Sequence, residues 1–342
     1  MNVDLIKKEI KDVDKNNLII TIGTTSRISN DFSILPRRTL LSYEVINILV
    51  SSSETARKCL TYIDGKASKI LVDVEKKQID HLWEIALNTI KITPIYQYKP
   101  NDITVEAADL QINSILGKDI AANKIILYGN GNIAGKLALR LAERGVKVYL
   151  YGRNLEKNKL LVAALNSILP RHASEDLIIA IENISDLKTG SIDGLVSFVS
   201  SEQVIGEEWL KPLKFRGFVI DGGINNFSHS FYLVSREWEL LCLRLDVRIA
   251  FPYAGLCLQK EVLDFFDLIQ GSKRIEGVNI VAGGVIGEKG DVIVDRLDFP
   301  TQLIGIANGI GGVKSGNEET TADRERIDFI KKHILQSNKK NF

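Results

Sequence analysis

Apolar residues along the chain alternate between short continuous runs and longer stretches with helical spacing. The short runs predict strands at 18–22, 45–50, 70–74, 125–128, 146–151, 178–181, 194–200, 214–221, 244–248 and 278–282. The spaced stretches predict helices at 2–15, from residue 54, at 78–90 and 104–116, after the glycine turn at 129–134, at 155–169, 256–269 and 301–308, and in the tail from 317, with residues 30–41 irregular. Strands that alternate with helices predict an α/β chain with parallel sheets.

The most informative stretch runs from Lys124 to Asn154, where an apolar strand enters a glycine turn that is followed by an amphipathic helix and a second strand. The turn reads Gly129-Asn130-Gly131-Asn132-Ile133-Ala134. Gly129 suits a tight turn, Gly131 lets the backbone approach a pyrophosphate, and Ala134 allows close helix packing. Free N–H groups at the helix start would face an anion. We therefore expect a dinucleotide here, and the alternative is an ordinary turn with incidental glycines.

The same patterns predict three parts. A smaller N-terminal α/β domain is expected at 1–103, with its boundary near Pro100-Asn101-Asp102. A doubly wound Rossmann domain that binds the nucleotide is expected at 104–316, and a C-terminal helix at 317–342 that packs back on the first domain. A polar turn, Gly23-Thr24-Thr25-Ser26-Arg27, follows the first strand and suits either a solvated loop or an anion.

The overall charge narrows the class of ligand. The chain has 44 Lys and Arg residues against 43 Asp and Glu residues, a net charge of +1. Such a balance does not attract nucleic acid or an acidic membrane, so we expect a small-molecule ligand. Its three cysteines and four histidines lack metal-ligand spacing, which predicts no metal site and suits a reducing compartment. The charged start and the lack of a long apolar run predict a cytoplasmic protein without a membrane span.

The end of the second strand in the nucleotide unit bears on the choice of cofactor. Enzymes that use NAD typically place a carboxylate there, whereas this chain has Tyr151-Gly152-Arg153-Asn154. The Arg153 guanidinium could pair with a 2′-phosphate, which favours NADP(H), although Arg153 as a solvated residue would leave NAD possible. The other cofactor contacts are expected at neighbouring strand ends, at Ser200 and at Asp221-Gly222-Gly223.

These motifs resemble the amino-acid-dehydrogenase-like enzymes, chiefly methylenetetrahydrofolate dehydrogenase and shikimate dehydrogenase. Val219 to Asn225 (VIDGGIN) is similar to the "V-I-D-V-G-I-N" strand of the folate enzyme, and Gly290-Asp291-Val292 and Gly311-Gly312-Val313 are similar to its later motifs. Tyr62 and Lys66 match the family's Tyr-x-x-x-Lys, in which the lysine is catalytic. The glutamine-proline segment that follows this lysine in the folate enzyme is missing here.

The resemblance to shikimate dehydrogenase implies a proton relay between a lysine of the first domain and an aspartate just before the second. By position these residues would be Lys66 and Asp109, and Asp102 is a rival to Asp109. A lysine beside a carboxylate can exchange a proton with a carbonyl or hydroxyl oxygen. The alternative for Lys66 is a solvated residue near the end of a helix.

The sequence therefore predicts an NADP(H)-dependent oxidoreductase, a homodimer, that moves a hydride to or from a small polar substrate in the interdomain cleft. One alternative is a non-catalytic NAD(P)-binding sensor or regulatory protein. A further alternative is an acyl-thioester reductase, because Asp221-Gly222-Gly223 and Ala282-Gly283-Gly284-Val285 also resemble cyanobacterial acyl-carrier-protein reductases. Those enzymes use a cysteine after the second glycine pair. None follows Gly284 here, and we expect Cys257 to be buried.

Overall fold

The chain forms two compact units, Met1–Ala254 and Gly255–Phe342, in the computed structural model. The structure describes residues 3–24, 31–77, 79, 81–170 and 177–340. The first unit contains two sheets and the second contains one. The boundary between these two compact units falls between Ala254 and Gly255. The domain boundaries expected at 103/104 and 316/317 stay a prediction.

Fifteen strands are found in the described residues. They are β1 (Leu18–Gly23), β2 (Phe32–Leu40), β3 (Tyr43–Val50), β4 (Lys69–Asp73), β5 (Ile95–Tyr98), β6 (Lys124–Tyr128), β7 (Lys147–Tyr151), β8 (Ile178–Ile181), β9 (Ile192–Ser197), β10 (Leu213–Asp221), β11 (Leu241–Arg244), β12 (Gly271–Ile275), β13 (Val278–Ala282), β14 (Val292–Val294) and β15 (Leu303–Ile306).

The α-helices of the same ranges connect these strands. They are α1 (Val3–Ile10), α2 (Ser53–Ile63), α3 (Leu82–Thr89), α4 (Pro100–Leu116), α5 (Asn132–Ala142), α6 (Leu155–Ser167), α7 (His229–Ser235), α8 (Phe251–Leu256), α9 (Lys260–Asp264) and α10 (Thr321–Lys340). Short 3₁₀ turns occur at Lys15–Asn17, Ile184–Asp186, Glu207–Leu210 and Val247–Ile249, and a π-helical turn at Phe265–Ile269. None of the described helices is long and apolar enough to cross a membrane.

The first sheet has the strand order β2-β3-β1-β4-β5. Its neighbours are parallel except for the edge strand β2, which runs antiparallel to β3. One face is buried against α1, α2 and α3, through residues such as Ile6, Leu60 and Ile85 packed on Ile20 and Ile70. Because the parallel strands share one direction, their carboxyl ends lie together along one side of the sheet, which we call the carboxyl edge. Their amino ends lie along the opposite side, the amino edge.

The second sheet has the order β8-β7-β6-β9-β10-β11, and every neighbouring pair is parallel. Its first strand lies in the centre, the next two follow on one side and the last three on the other, which is the order of the doubly wound Rossmann fold. Leu137 of α5 and Val162 of α6 pack on one face, while Trp209 and Phe231 pack on the other. The predicted doubly wound domain is confirmed.

The second unit is a four-stranded sheet, β12-β13-β14-β15, in which only β13 and β14 are parallel. Ile330 and Ile334 of α10 are buried with Ile280, Val292 and Ile306 of this sheet. The expected helical tail is confirmed. Its packing was expected on the first domain, and the contacts described for Ile330 and Ile334 are with the four-stranded sheet.

Four local predictions were wrong. Residues 30–41 include the strand β2, and residues 301–308 form the strand β15 rather than a helix. The expected strand at 244–248 lies earlier, at β11, and is followed by a 3₁₀ turn. The expected helix at 256–269 is divided into the end of α8, α9 and the π-helical turn. The residues of the proposed domain boundary, Pro100 to Asp102, form the first turn of α4, where proline is favoured.

Candidate functional site

Gly129 makes the turn between β6 and α5 and lies close to the ends of both neighbouring strands. Its φ is +133°, which side chains other than glycine rarely adopt. Its N–H donates to the Tyr151 carbonyl at 2.8 Å. A Cβ at this position would lie 2.9 Å from the Phe198 carbonyl oxygen, closer than real Cβ contacts. Glycine is therefore required by the fold at this position.

Gly131 has a different role, because it caps the start of α5 from an exposed position. Its φ of −92° suits any residue, and a Cβ would meet no protein atom within 4 Å. The first N–H groups of a helix have no partner within the helix, and a glycine N-cap has no side chain to accept from them. Asn132 and Ile133 therefore open a helix whose amino end suits an anion, and the buried Ala134 lets α5 pack closely.

A pocket of about 450 Å³ opens at this turn, between the carboxyl ends of β6, β7 and β9. In the Rossmann fold, ligands bind where the strand order reverses, and in this sheet that point is between β6 and β9. Six residues predicted to bind the cofactor line the pocket, namely Gly129, Asn130, Gly131, Arg153, Asn154 and Ser200. The remaining lining residues are Tyr128, Tyr151, Gly152, Lys157, Phe198, Val199, Ser201 and Val204.

Two cations line the pocket, Arg153 and Lys157, and the described lining residues include no carboxylate. Both side chains are exposed, and neither forms an ion pair with a described residue. Asn154, which lies between them, caps α6 by accepting from the Lys157 N–H at 2.9 Å. Asn130 leans over Gly152, where a Cβ would lie 2.2 Å from its amide nitrogen. The mouth of the pocket is therefore positively charged.

Three aromatic rings pack against one another beside the pocket. Tyr128, Tyr151 and Trp209 contact one another with centroids 4.8 to 5.0 Å apart. Burial raises the pKa of Tyr128 to about 12, aided by Tyr151 and Glu208 and opposed by the nearby charge of Arg153. The phenol is therefore neutral at physiological pH and donates to the Val204 carbonyl at 3.4 Å. This packing fixes the ends of β6 and β7 that carry the pocket.

Asp221, Gly222 and Gly223 end β10 and do not line the pocket. The Asp221 carboxylate is buried and accepts from the Asn226 N–H at 3.1 Å and from the Ser197 hydroxyl at 3.4 Å. A Cβ on Gly222 would lie 2.5 Å from the ring of Phe198, which does line the pocket. These residues therefore pack behind a side chain that lines the pocket. Their direct contact with a cofactor stays a prediction.

Lys66 and Tyr62 are brought together, but at the amino edge of the first sheet. The Lys66 ammonium donates to the Tyr62 carbonyl oxygen at the end of α2 and lies 3.5 Å from the centroid of the Tyr62 ring. Ser68, two residues on, donates to the carbonyl of Leu18, the first residue of β1. A cation that caps a helix carboxyl end is a common stabilising arrangement. The catalytic role of Lys66 and Tyr62 stays a prediction that this position does not favour.

Asp109 lies on α4, in a series of ion pairs that join α4 to α5 and to the turn directly after α5. The pairs are Asp102 with Lys136, Glu106 with Arg140, and Asp109 with Arg144. The partners are 34 or 35 positions apart in every pair, so the two helices run parallel and in register. Asp109 is thus two turns from the start of α4, and its catalytic role stays a prediction.

The pairing of α4 with α5 orients both sheets. α4 begins directly after β5, at the carboxyl edge of the first sheet, and α5 begins directly after β6, at the carboxyl edge of the second. Since these two helices are parallel and in register, the two carboxyl edges lie at the same end of the helix pair. Ligands that contact both sheets in this unit would lie at that end.

A polar cluster that the sequence analysis did not identify lies at this edge of the first sheet. The Lys77 ammonium is 3.1 Å from the Asp73 carboxylate and 3.0 Å from that of Glu75, and the three side chains are at most 16% exposed. Asp73 also accepts from the Thr24 N–H at 3.3 Å, and the buried Thr24 hydroxyl has no partner among the described residues. Glu75 accepts from the first turn of α4, at the Asn101 N–H.

The signal for this cluster was present in the sequence. Asp73 lies near the end of the predicted strand 70–74, and the polar turn that contains Thr24 was interpreted as a possible anion site. The two were not connected with each other, because they are about 50 residues apart in sequence. Of the polar turn after β1, Thr25, Ser26 and Arg27 lie outside the described residues. Cys257, which was expected to be buried, is exposed.

The comparisons with known proteins do not identify the family of this chain. No family model and no curated protein matches it. Among solved structures, it is similar to a shikimate dehydrogenase in complex with NADP⁺ (13% identity, 69% of this chain and 86% of that chain, TM-score 0.44). It is also similar to L-tryptophan dehydrogenase from Nostoc punctiforme (11% identity, 73% and 76%, TM-score 0.42) and to a dipicolinate synthase from Bacillus halodurans (14% identity, 75% and 82%, TM-score 0.39).

Proposed function

We propose that this chain is a nicotinamide-dependent oxidoreductase that binds NADP(H) at the turn between β6 and α5. The observation that carries the proposal is the meeting of a Rossmann strand order, a glycine turn at the point where that order reverses, and a pocket at that turn. The amino end of α5 would hold the pyrophosphate, and Gly131 leaves room for it. When bound, the nicotinamide supplies or accepts the hydride.

The preference for NADP(H) over NAD(H) is assigned to Arg153 and Lys157. Both line the pocket at the end of β7, where an enzyme specific for NAD would place a carboxylate for the ribose hydroxyls. Glu156, the nearest acidic residue in sequence, is 86% exposed and pairs with Lys159 at 3.7 Å. Two cations without a carboxylate favour a 2′-phosphate over a 2′-hydroxyl.

Titration of the protein with NADPH and NADH tests this assignment. Arg153→Ala should weaken NADPH binding by about 1.5–3 kcal/mol, the contribution of a hydrogen bond to a charged group, and leave NADH binding nearly unchanged. Lys157→Ala should act in the same direction with a smaller effect, because a lysine lacks the bidentate geometry of arginine. Lys159→Ala, on the same helix but outside the pocket, is the matched control. Equal weakening of both nucleotides by Arg153→Ala would contradict the 2′-phosphate assignment.

For proton transfer, the cluster around Lys77 is better placed than Lys66. Hydride transfer to a carbonyl carbon requires a proton at the carbonyl oxygen, and the Lys77 ammonium can give one. Asp73 and Glu75 hold that ammonium in place through ion pairs, and they face the same end of the helix pair as the glycine turn. The substrate is then a small molecule held at the carboxyl edge of the first sheet. We also propose that the protein is a homodimer in the cytoplasm, on the basis of its sequence.

A further inference from the structure

Arg38, on the edge strand β2, is a half-buried cation without an anionic partner among the described residues. Its guanidinium lies over the Phe251 ring, at 5.3 Å from the centroid. No ion pair or hydrogen bond of this side chain occurs within the described part of the chain. Removing a charged group from water without an anionic partner is costly, so an anionic ligand at Arg38 would be favourable.

The residue beside it shows how an arginine of this strand is normally satisfied. Arg37 donates to the Glu9 carboxylate at 3.0 Å, to the Glu44 carboxylate at 3.1 Å and to the Glu9 carbonyl. Arg38 has a different neighbour, because its guanidinium lies over the Phe251 ring. Arg37 therefore pairs with two carboxylates, whereas Arg38 pairs with none within the described ranges.

Asp246 is the carboxylate whose charge acts on Arg38, but it already forms an ion pair with Arg248. Asp246 accepts from the Arg248 side chain through both of its oxygens, at 2.9 and 2.8 Å from Nε. Burial lowers the pKa of Arg38, while Tyr98 and Asp246 raise it and Arg248 lowers it further. An arginine stays protonated despite such a shift, so the guanidinium remains a cation at physiological pH.

Tyr98 provides a second polar group at the same ring. Its ring meets Phe251 edge-on at 6.2 Å, and it ends β5, in register with Asp73 of β4. Burial raises the pKa of Tyr98 well above its usual range, so its hydroxyl remains a neutral donor. Phe251 thus contacts a guanidinium and a phenol, and the phenol lies toward the edge that carries Lys77.

We propose that Arg38 binds the carboxylate of the substrate, with its face on Phe251 and its N–H edge toward the ligand, and that Tyr98 donates to the same group. A planar guanidinium stacked on a ring presents two parallel N–H groups, which match a carboxylate. The substrate is therefore a small carboxylic acid. This assignment of the anion as the substrate rests on the proposed function, whereas the anion site itself does not.

Isothermal titration calorimetry with malonate, a small unreactive dicarboxylate, tests the site on the full chain. We expect malonate to bind the wild-type protein above a chloride control of equal ionic strength. Arg38→Met should weaken that binding by about tenfold or more, the effect of losing a charge-assisted pair. Arg37→Met, which removes the neighbouring cation with its own partners, should leave it unchanged.

Two further arms make each outcome decisive. Arg38→Lys keeps the charge and loses the planar pair, so intermediate weakening is expected, and this variant gives the result if Arg38→Met does not fold. Inorganic phosphate in place of malonate separates the two oxoanions, and a site that takes phosphate alone would overturn the carboxylate assignment. Malonate binding that is absent, or equal in the Arg38 variants, would overturn the site. NADPH titration of the same proteins should be unchanged, so a failure of nucleotide binding is seen separately.

Discussion

Gly129 and Gly131 belong to one turn but are required for different physical reasons. Gly129 has a φ of +133° and no space for a Cβ, so Gly129→Ala should lower the free energy of unfolding by about 1–3 kcal/mol. Gly131 has an ordinary φ and open space around it, so Gly131→Ala should fold normally. That methyl group would occupy the space of a pyrophosphate, and NADPH affinity should fall by about tenfold. Thermal unfolding and NADPH titration separate the two effects, and normal NADPH binding by folded Gly131→Ala would contradict the placement.

At this scale the sequence indicated part of the site. The glycine turn and Arg153 could be found because each follows a strand end in a recognisable order. Lys157 was missed because its position depends on the start of α6, where Asn154 caps the helix and one turn brings Lys157 beside Arg153. Arg38 could not be found, because its lack of a partner in the described residues is a property of the folded surroundings and not of its neighbours in sequence.

The start of α10 depends on one buried carboxylate. Burial alone would raise the pKa of Asp323, but hydrogen bonds from Lys314 and Thr320 outweigh burial and lower the pKa to about 2. The Lys314 ammonium is 2.6 Å from Asp323, and both side chains are nearly fully buried. Arg326 bridges the same carboxylate to the Gly290 carbonyl, at 3.2 and 2.8 Å.

Because of this carboxylate, we expect the stability of the second unit to fall in acid. Because the pKa of Asp323 is lower in the folded state than in the unfolded chain, its stabilisation is complete above about pH 4 and is lost as the pH falls toward 2. The loss amounts to about 2 kcal/mol. Asp323→Asn should be less stable at neutral pH and should lose part of the dependence on pH below 4, as followed by circular dichroism. An unchanged acid transition in this variant would contradict the role of Asp323.

The elements that the sequence misassigned share a physical cause. β2 contains Pro36 and lies at the edge of its sheet, where a bulge between Leu35 and Arg38 accommodates a residue without an N–H donor. β15 is a short apolar run, Leu303 to Ile306, which local pattern cannot distinguish from a helix, and antiparallel pairing with β14 decides its structure. Strands that are buried apolar runs, such as β1, β4 and β6, were by contrast predicted correctly, whereas the partly exposed β5 was missed.

At the scale of the first unit, the parallel pair of α4 and α5 sets which residues can share a ligand. It places the carboxyl edges of both sheets at one end, with Lys77 at that end and Lys66 at the amino edge of the first sheet. An active site that uses both sheets can therefore include Lys77 and not Lys66. The ion pairs that hold the helices in register include Asp109, whose interaction with Arg144 serves this arrangement.

Activity of lysine variants tests this difference between the edges. NADPH oxidation is measured against a panel of small oxo acids, and the best substrate is then used with each variant. Lys77→Met should lower kcat by about 10²-fold or more, the usual contribution of a general acid. Lys58→Met, an exposed lysine on α2, should retain full activity. Loss of activity in Lys66→Met together with retention in Lys77→Met would restore the sequence-based assignment.

The most direct test of the nucleotide site is a crystal structure of the protein with NADPH. We expect the pyrophosphate at the N–H groups of Asn132 and Ile133, close to Gly131, and the 2′-phosphate between Arg153 and Lys157. The nicotinamide should extend toward the end where the carboxyl edges of the two sheets meet. A nucleotide bound elsewhere, or a 2′-phosphate that contacts neither cation, would contradict this account.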